Sequence, residues 1–137
     1  MVLSYHIEGG DFANAGTASS QVKKTLKQLS IPSAIIKRVV VALYEAEVNI
    51  VAHAYRGSIT VSINPEKILM VLDDEGPGIA DIPLAMQKGY STASEEVMQM
   101  GFGAGMGLPN ISENSYSLNI QSEVGKGTKL EIAVLLS

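Results

Sequence analysis

Four short stretches of the chain have residue types and spacings that could do chemistry. Glu45, Asn49 and His53 recur at i, i+4 and i+8, which on a helix places all three in one stripe. A carboxylate beside a carboxamide can orient a nucleophile and take its proton, and their oxygens suit a hard cation. The same spacing fits a solvated polar edge, and the residues alone leave both readings open. No metal site built on histidine is expected, because His6 and His53 are the only two and no H-x-x-x-H spacing occurs. Asp74-Glu75-Gly76-Pro77-Gly78-Ile79 directly follows an apolar run. An aspartate at a strand end can accept a hydrogen bond from an exocyclic amine while glycines admit a ligand to the backbone. A tight acidic turn reads the same way. The densest feature is Gly101-Phe102-Gly103-Ala104-Gly105-Met106-Gly107-Leu108. Glycines at alternate positions before a helix start expose successive N–H groups beside a positive helix end, an anion cradle suited to phosphates. It is not a Walker A loop, for no Gly-Lys-Ser/Thr closes it, and it is not the dinucleotide fingerprint. Gly125-Lys126-Gly127-Thr128, taken alone, is a hairpin turn.

The elements that must hold these stretches follow from periodicity. Val2 to Ile7 predicts a strand ending at Gly9-Gly10. A helix is expected from about Ala13 to Leu29, with Val22, Leu26 and Leu29 as its buried stripe. Pro32 suits the first turn of a second helix to about Tyr55, with Ile36, Val40, Leu43, Ile50 and Ala54 facing inward and Gly57 as its stop. Ser58 to Asn64 alternates as a half-buried strand, and Lys67 to Leu72 returns after Asn64-Pro65-Glu66 to make a hairpin. Asp81 can cap a short helix through Met86. Gln87 to Met106 has little periodicity, a helix runs from Gly107 to about Asn114, and Ser117 to Glu123 pairs with Thr128 to Leu136. The order β-α-α-β-β-α-loop-α-β-β implies an α+β two-layer sandwich, with helices on one face of the sheet.

Composition narrows the functions available. At 137 residues the chain reads as a single domain, 1–137, and its 46% apolar residues suffice for an aliphatic core. A net charge of −4 without a basic cluster beyond Lys23, Lys24 and Lys27 argues against nucleic acid and against an anionic membrane surface. The absence of cysteine removes disulfides, thiolate zinc sites and cysteine nucleophiles. Neither a signal peptide nor a membrane-spanning run is read, so a cytoplasmic protein is expected.

Taken in order, the four stretches resemble the motifs of the ATP-binding (Bergerat) domain shared by gyrase-type topoisomerases, the heat-shock chaperone, histidine kinases and mismatch-repair ATPases. Glu45-x-x-x-Asn49 looks like the N box, Asp74-x-Gly76-x-Gly78 the G1 box, Gly101-x-Gly103-x-Gly105-x-Gly107 the G2 box, and Gly127-Thr128 the terminal Gly-Thr. The resemblance implies a mixed, mostly antiparallel sheet. Size, and the stretches Tyr44 to Tyr55 and Gly105 to Asn110, are similar to the free-standing anti-sigma-factor serine/threonine kinases of bacteria. Such proteins phosphorylate a small anti-anti-sigma (STAS) partner, and some sequester a sigma factor. The resemblance then implies ATP and Mg²⁺, with Asn49 on the metal and Asp74 receiving the adenine amino group. Gly76, Gly78 and Ile79 would line the adenine pocket, with Thr128 supporting it through water. Gly101, Gly103, Gly105, Met106, Gly107 and Leu108 would embrace the triphosphate, and Glu45 would be the general base. Lys88 is the only cation between the G1 and G2 boxes, so it or a partner's residue would meet the transferred phosphoryl charge. Ser91, Thr92 and Ser94 beside it are phosphate contacts or solvated loop residues. The alternative implied is a nucleotide-gated module that binds a regulator without useful transfer. Relatives of this type commonly form homodimers.

Overall fold

The structure is a computed structural model and describes residues 1–87 and 107–136. In β1 (Val2–Glu8), Leu3, Tyr5 and Ile7 turn inward while Ser4, His6 and Glu8 stay exposed, as a strand covered on one face requires. A single 3-10 turn at Phe12–Asn14 precedes α1 (Thr17–Gln28), which therefore starts later than the expected Ala13. Gly16, in the left-handed region at φ +94°, marks that start, and a residue far along the chain holds it. The Glu47 carboxylate accepts from the N–H groups of Gly16 (2.9 Å), Ala18 (3.2 Å) and Ser19 (3.0 Å) and from Ser19 Oγ (2.6 Å). A helix start leaves N–H groups without intrahelical partners, and its dipole favours a carboxylate there. Val22 and Leu26 are buried as predicted, whereas Leu29 is the C-cap and 41% exposed.

Pro32 immediately precedes α2 (Ser33–His53), whose Ile36, Leu43 and Ile50 are buried while Val40 and Ala54 are only half-buried. Gly57 does not stop this helix. The backbone is already extended at Ala54 (φ −100°, ψ 167°), and the Tyr55 N–H donates to the Glu75 carbonyl at 2.8 Å. Gly57 lies inside β2 (Arg56–Ile63) beneath Ile50, where a Cβ would come within 3.0 Å of Ile50 Cδ1. The turn into β3 (Lys67–Glu75) is closed by Asn64 Oδ1, which accepts from the N–H groups of Glu66 (2.8 Å) and Lys67 (2.9 Å). β3 outruns the expected Leu72 because Asp73, Asp74 and Glu75 continue to pair with Ser58, Gly57 and Arg56. Asp74 thus stands on a strand, fixed by its ladder.

Asp81 Oδ1 caps α3 (Ile82–Ala85) by accepting from the Leu84 N–H at 3.1 Å. The remaining elements are α4 (Gly107–Glu113), β4 (Ser117–Glu123) and β5 (Gly127–Leu135). The strands lie in the order β1-β2-β3-β5-β4, and every neighbouring pair is antiparallel. Among the described residues the sheet is therefore wholly antiparallel, since the return from β3 passes through α4 and β4 before β5 comes back beside β3. Ile59, Val61, Ile68, Met70, Leu72, Leu130, Ile132 and Val134 form one buried layer with the inner faces of the helices, each side chain worth ~1.5–3 kcal/mol on burial. α2 sits at the centre, touching α1, α4 and strands β1, β2, β3 and β5. Among the described residues no helix is long and apolar enough to cross a membrane.

Candidate functional site

The polar stripe of α2 is real and lies at the edge of the core: Glu45, Asn49 and His53 are all half-buried. α4 closes over its upper part. A Cβ on Gly107 would sit 3.0 Å from Asn49 Oδ1, so the start of the helix packs directly against the carboxamide and a larger residue would have to push that side chain aside. One turn further along α4, Asn110 Nδ2 donates to Glu45 Oε1 at 3.3 Å. At the foot of α2 the stripe meets the turn after β3, where a Cβ on Gly76 would lie 3.0 Å from Ala54 Cα. Burial lowers the pKa of the His53 imidazole below its ordinary 6.5, so the ring is neutral at neutral pH.

The turn after β3 is stapled to the β4–β5 hairpin. Asp74 Oδ1 accepts from the Thr128 N–H at 3.0 Å. Gly76 N–H donates to the Lys126 carbonyl (3.0 Å), and Gly125 N–H donates to the Pro77 carbonyl (2.9 Å). Ser122 Oγ accepts from the Ile79 N–H (2.7 Å), donates to the Gly127 carbonyl (3.1 Å) and lies 2.9 Å from Thr128 Oγ1. Gly78 adopts φ +76°, and a Cβ there would overlap the Glu123 carbonyl; one on Gly127 would overlap the carbonyl of Asp74. These glycines allow two backbones to touch, which fixes the aspartate rather than loosening it. Burial pushes the Asp74 carboxyl above its usual range, the Thr128 N–H opposes this, and the charge of Asp73 adds to it.

The structure therefore gathers Glu45, Asn49 and Gly107 at one end of a strip, and Asp74, Gly76, Gly78, Ile79 and Thr128 at the other. Leu108 is different: its side chain packs in the core beside Ile111, so only its backbone can reach the strip. Lys88, Gly101, Gly103, Gly105 and Met106 lie outside the described residues. Sequence reasoning missed three residues. Ser122 stands opposite Thr128 in the β4–β5 register, a pairing readable from the hairpin once its turn is placed. Asn110 follows Gly107 by one helical turn, and Glu47 lies within an otherwise apolar helix face. Among the described residues no group of three or more His, Cys, Asp or Glu could hold a metal ion.

This arrangement of sheet, covering helices and polar strip defines a histidine-kinase-like ATPase fold. The mycobacterial sensor histidine kinase MprB shares it at a TM-score of 0.55 over 97% of each chain, with 15% sequence identity. The family model of the histidine kinase-like ATPase domain matches residues 10–134, and the chain belongs to that family. It is similar to the serine/threonine-protein kinase RsbT of Bacillus subtilis (strain 168), 26% identical over 80% of this chain and 79% of that one. It is also similar to the anti-sigma F factor of Clostridium kluyveri, 32% identical over 87% of this chain and 80% of the relative. The anti-sigma F factor of Thermoanaerobacter sp. (strain X514) is 38% identical over 64% of this chain and 61% of its own length.

Proposed function

We propose that the chain is an ATP-dependent serine/threonine protein kinase of the anti-sigma type, acting in the cytoplasm on a small STAS-type partner. The observation that carries this reading is the strip from Glu45 and Asn49 under α4 to Asp74 near the end of β3, hydrogen-bonded to Thr128. The names of the relatives, a serine/threonine-protein kinase and anti-sigma F factors, support it.

In this reading each residue has a task that its surroundings allow. Asp74 is held through Oδ1, which leaves Oδ2 to accept from the exocyclic amine of adenine. Gly76, Gly78 and Ile79 line the base, and Thr128 supports it. Asn49 offers a carboxamide oxygen to Mg²⁺, which when bound neutralises charge on the phosphates. The glycines at 101, 103, 105 and 107, with Met106, the Leu108 backbone and Lys88, take the triphosphate. Glu45 accepts the proton of the attacking serine or threonine hydroxyl. The hydroxyl oxygen bonds to the γ-phosphorus, the bond from phosphorus to the bridging oxygen breaks, and its electron pair leaves with ADP. A positioned base contributes ~10²–10⁴-fold to such a step.

The test is transfer of label from radiolabelled ATP, with magnesium, to a panel of purified STAS-domain proteins. Label on a partner serine or threonine, lost in Glu45→Gln while ATP affinity is retained, supports the kinase. Transfer surviving Glu45→Gln within about threefold removes Glu45 from the base role. The relatives named anti-sigma F factor favour one second reading, sequestration of a sigma factor gated by nucleotide. A stoichiometric complex with a sigma factor and no label on any partner would establish that reading instead.

A further inference from the structure

Glu45 reaches solvent on a side chain with three rotatable bonds, and a base serves only when one oxygen lies within hydrogen-bond reach of the proton it takes. The structure shows what limits that freedom. Asn110 Nδ2 lies 3.3 Å from Glu45 Oε1. A carboxylate oxygen only accepts, so the amide must present its NH₂ group there. The donor stands on a rigid element. Leu108 and Ile111 anchor α4 in the core, while Gly107 and Asn110 fall on the face turned to α2. The Asn110 carbonyl is itself held by Asn114, through its side-chain Nδ2 at 2.8 Å and its N–H at 3.2 Å. Two contacts with matched spacing result. Gly107 meets Asn49, and Asn110 meets Glu45 a turn away along each helix.

We infer that Asn110 is the positioning residue of the transfer step: it occupies Glu45 Oε1 and leaves Oε2 to receive the hydroxyl proton. This rests on Glu45 acting as the base, as proposed above. Because Gly107 opens α4, the residue that lies on the Asn49 carboxamide and the residue that orients the base belong to one rigid piece. Glycine packing and base orientation are set together.

Transfer to a STAS-domain protein from radiolabelled ATP separates this inference from the reading beneath it. Asn110→Ala should lower kcat about tenfold with KM for ATP unchanged, within the ~10² that a small misplacement of reacting groups costs. Asn110→Asp keeps the shape but turns a donor into an acceptor beside a carboxylate, and should lower kcat further, toward ~10²-fold. In a Glu45→Gln background Asn110→Ala should add nothing, because the oriented group is gone. Circular dichroism and ATP affinity by calorimetry report whether each variant is folded and loaded. If Asn110→Ala leaves kcat within about twofold, or lowers kcat and ATP affinity together as a packing defect would, the inference is overturned. If Glu45→Gln itself retains transfer, or wild-type protein labels no acceptor, the base reading fails first and the positioning role falls with it.

Discussion

Replacing Asp74 with asparagine tests the proposed adenine contact most directly, because the substitution keeps the shape. The introduced carboxamide could still accept from the Thr128 N–H through its carbonyl oxygen, the contact that Asp74 Oδ1 makes at 3.0 Å. What changes is the other branch: an acceptor becomes an NH₂ group facing the amine of adenine, so donor meets donor. A hydrogen bond to a charged group is worth ~1.5–3 kcal/mol. At about 1.4 kcal/mol per factor of ten this corresponds to roughly 10–150-fold in Kd. Asp74 is only half-buried, so solvent screening places the expected loss near the low end, about 10–30-fold. Calorimetry with ATP and with purine riboside triphosphate, which lacks the exocyclic amine, isolates the contact. Wild type should prefer ATP, and Asp74→Asn should lose most of that preference. Equal weakening of both nucleotides, or ATP affinity within about threefold of wild type, would refute the assignment. The raised carboxyl pKa adds a pH test. The folded state holds this proton to a higher pH than the unfolded chain does, so ionising Asp74 lowers stability. That penalty is absent below the ordinary carboxylate value and complete once pH passes the raised one. Affinity runs the other way, falling as pH drops through the raised value. In Asp74→Asn both dependences should flatten.

Three further perturbations follow from the same contacts. Glu47→Gln replaces one acceptor oxygen by a donor opposite the N–H groups of α1 and should cost about 2 kcal/mol in urea denaturation, a change under about 0.5 kcal/mol counting against the capping role. Ser122→Ala leaves the Ile79 N–H without its acceptor and should cost about 1 kcal/mol, with a measurable rise in the Kd for ATP by calorimetry. Gly127→Ala forces a Cβ onto the Asp74 carbonyl, so it should lose about 1–3 kcal/mol of stability and weaken ATP binding together; stability within error of wild type would show that this approach is not tight.

The parts of this protein legible in its sequence are those where one local pattern decides the outcome. The apolar and β-branched content of Val2 to Ile7 and the alternation of Ser58 to Asn64 place the first two strands, and the i, i+4 spacing places Glu45 and Asn49 on one edge. Where a distant group decides, local reasoning failed. The start of α1 is fixed by Gly16, whose φ of +94° breaks a helix running from Ala13, and by Glu47, which takes up the first N–H groups from across the core. Gly57 looked like a helix stop because glycine often is one, yet it is a strand residue made small by Ile50 above it. The mixed sheet expected from the resemblance gave way to antiparallel pairing throughout the described residues. At the site, Asp74 and Thr128, named from two separate motifs, meet through a hydrogen bond, but the Ser122 hydroxyl that links Thr128 to Ile79 depends on a register that no single segment encodes.

Glu45 and Glu47 are two residues apart, which at about 100° per residue turns them to nearly opposite sides of α2. One binds the helix to α1 through buried backbone donors; the other faces α4 and the strip where a ligand would lie. A helix held on both flanks by carboxylates cannot roll without breaking contacts on each side, and Asn49 is carried with it. The two flanks should nevertheless be separable. Loss of the Glu47 contacts removes stability from a core that Glu45 does not join, whereas loss of Asn110 frees Glu45, the proposed base, while Leu108 and Ile111 still hold α4 in the core. The expected pattern is thus a crossed one: Glu47→Gln lowers the denaturation midpoint with kcat nearly intact in the folded fraction, and Asn110→Ala lowers kcat with the midpoint nearly intact. Both variants moving both quantities in parallel would mean that α2 shifts as a whole, and that the site has no support independent of the core.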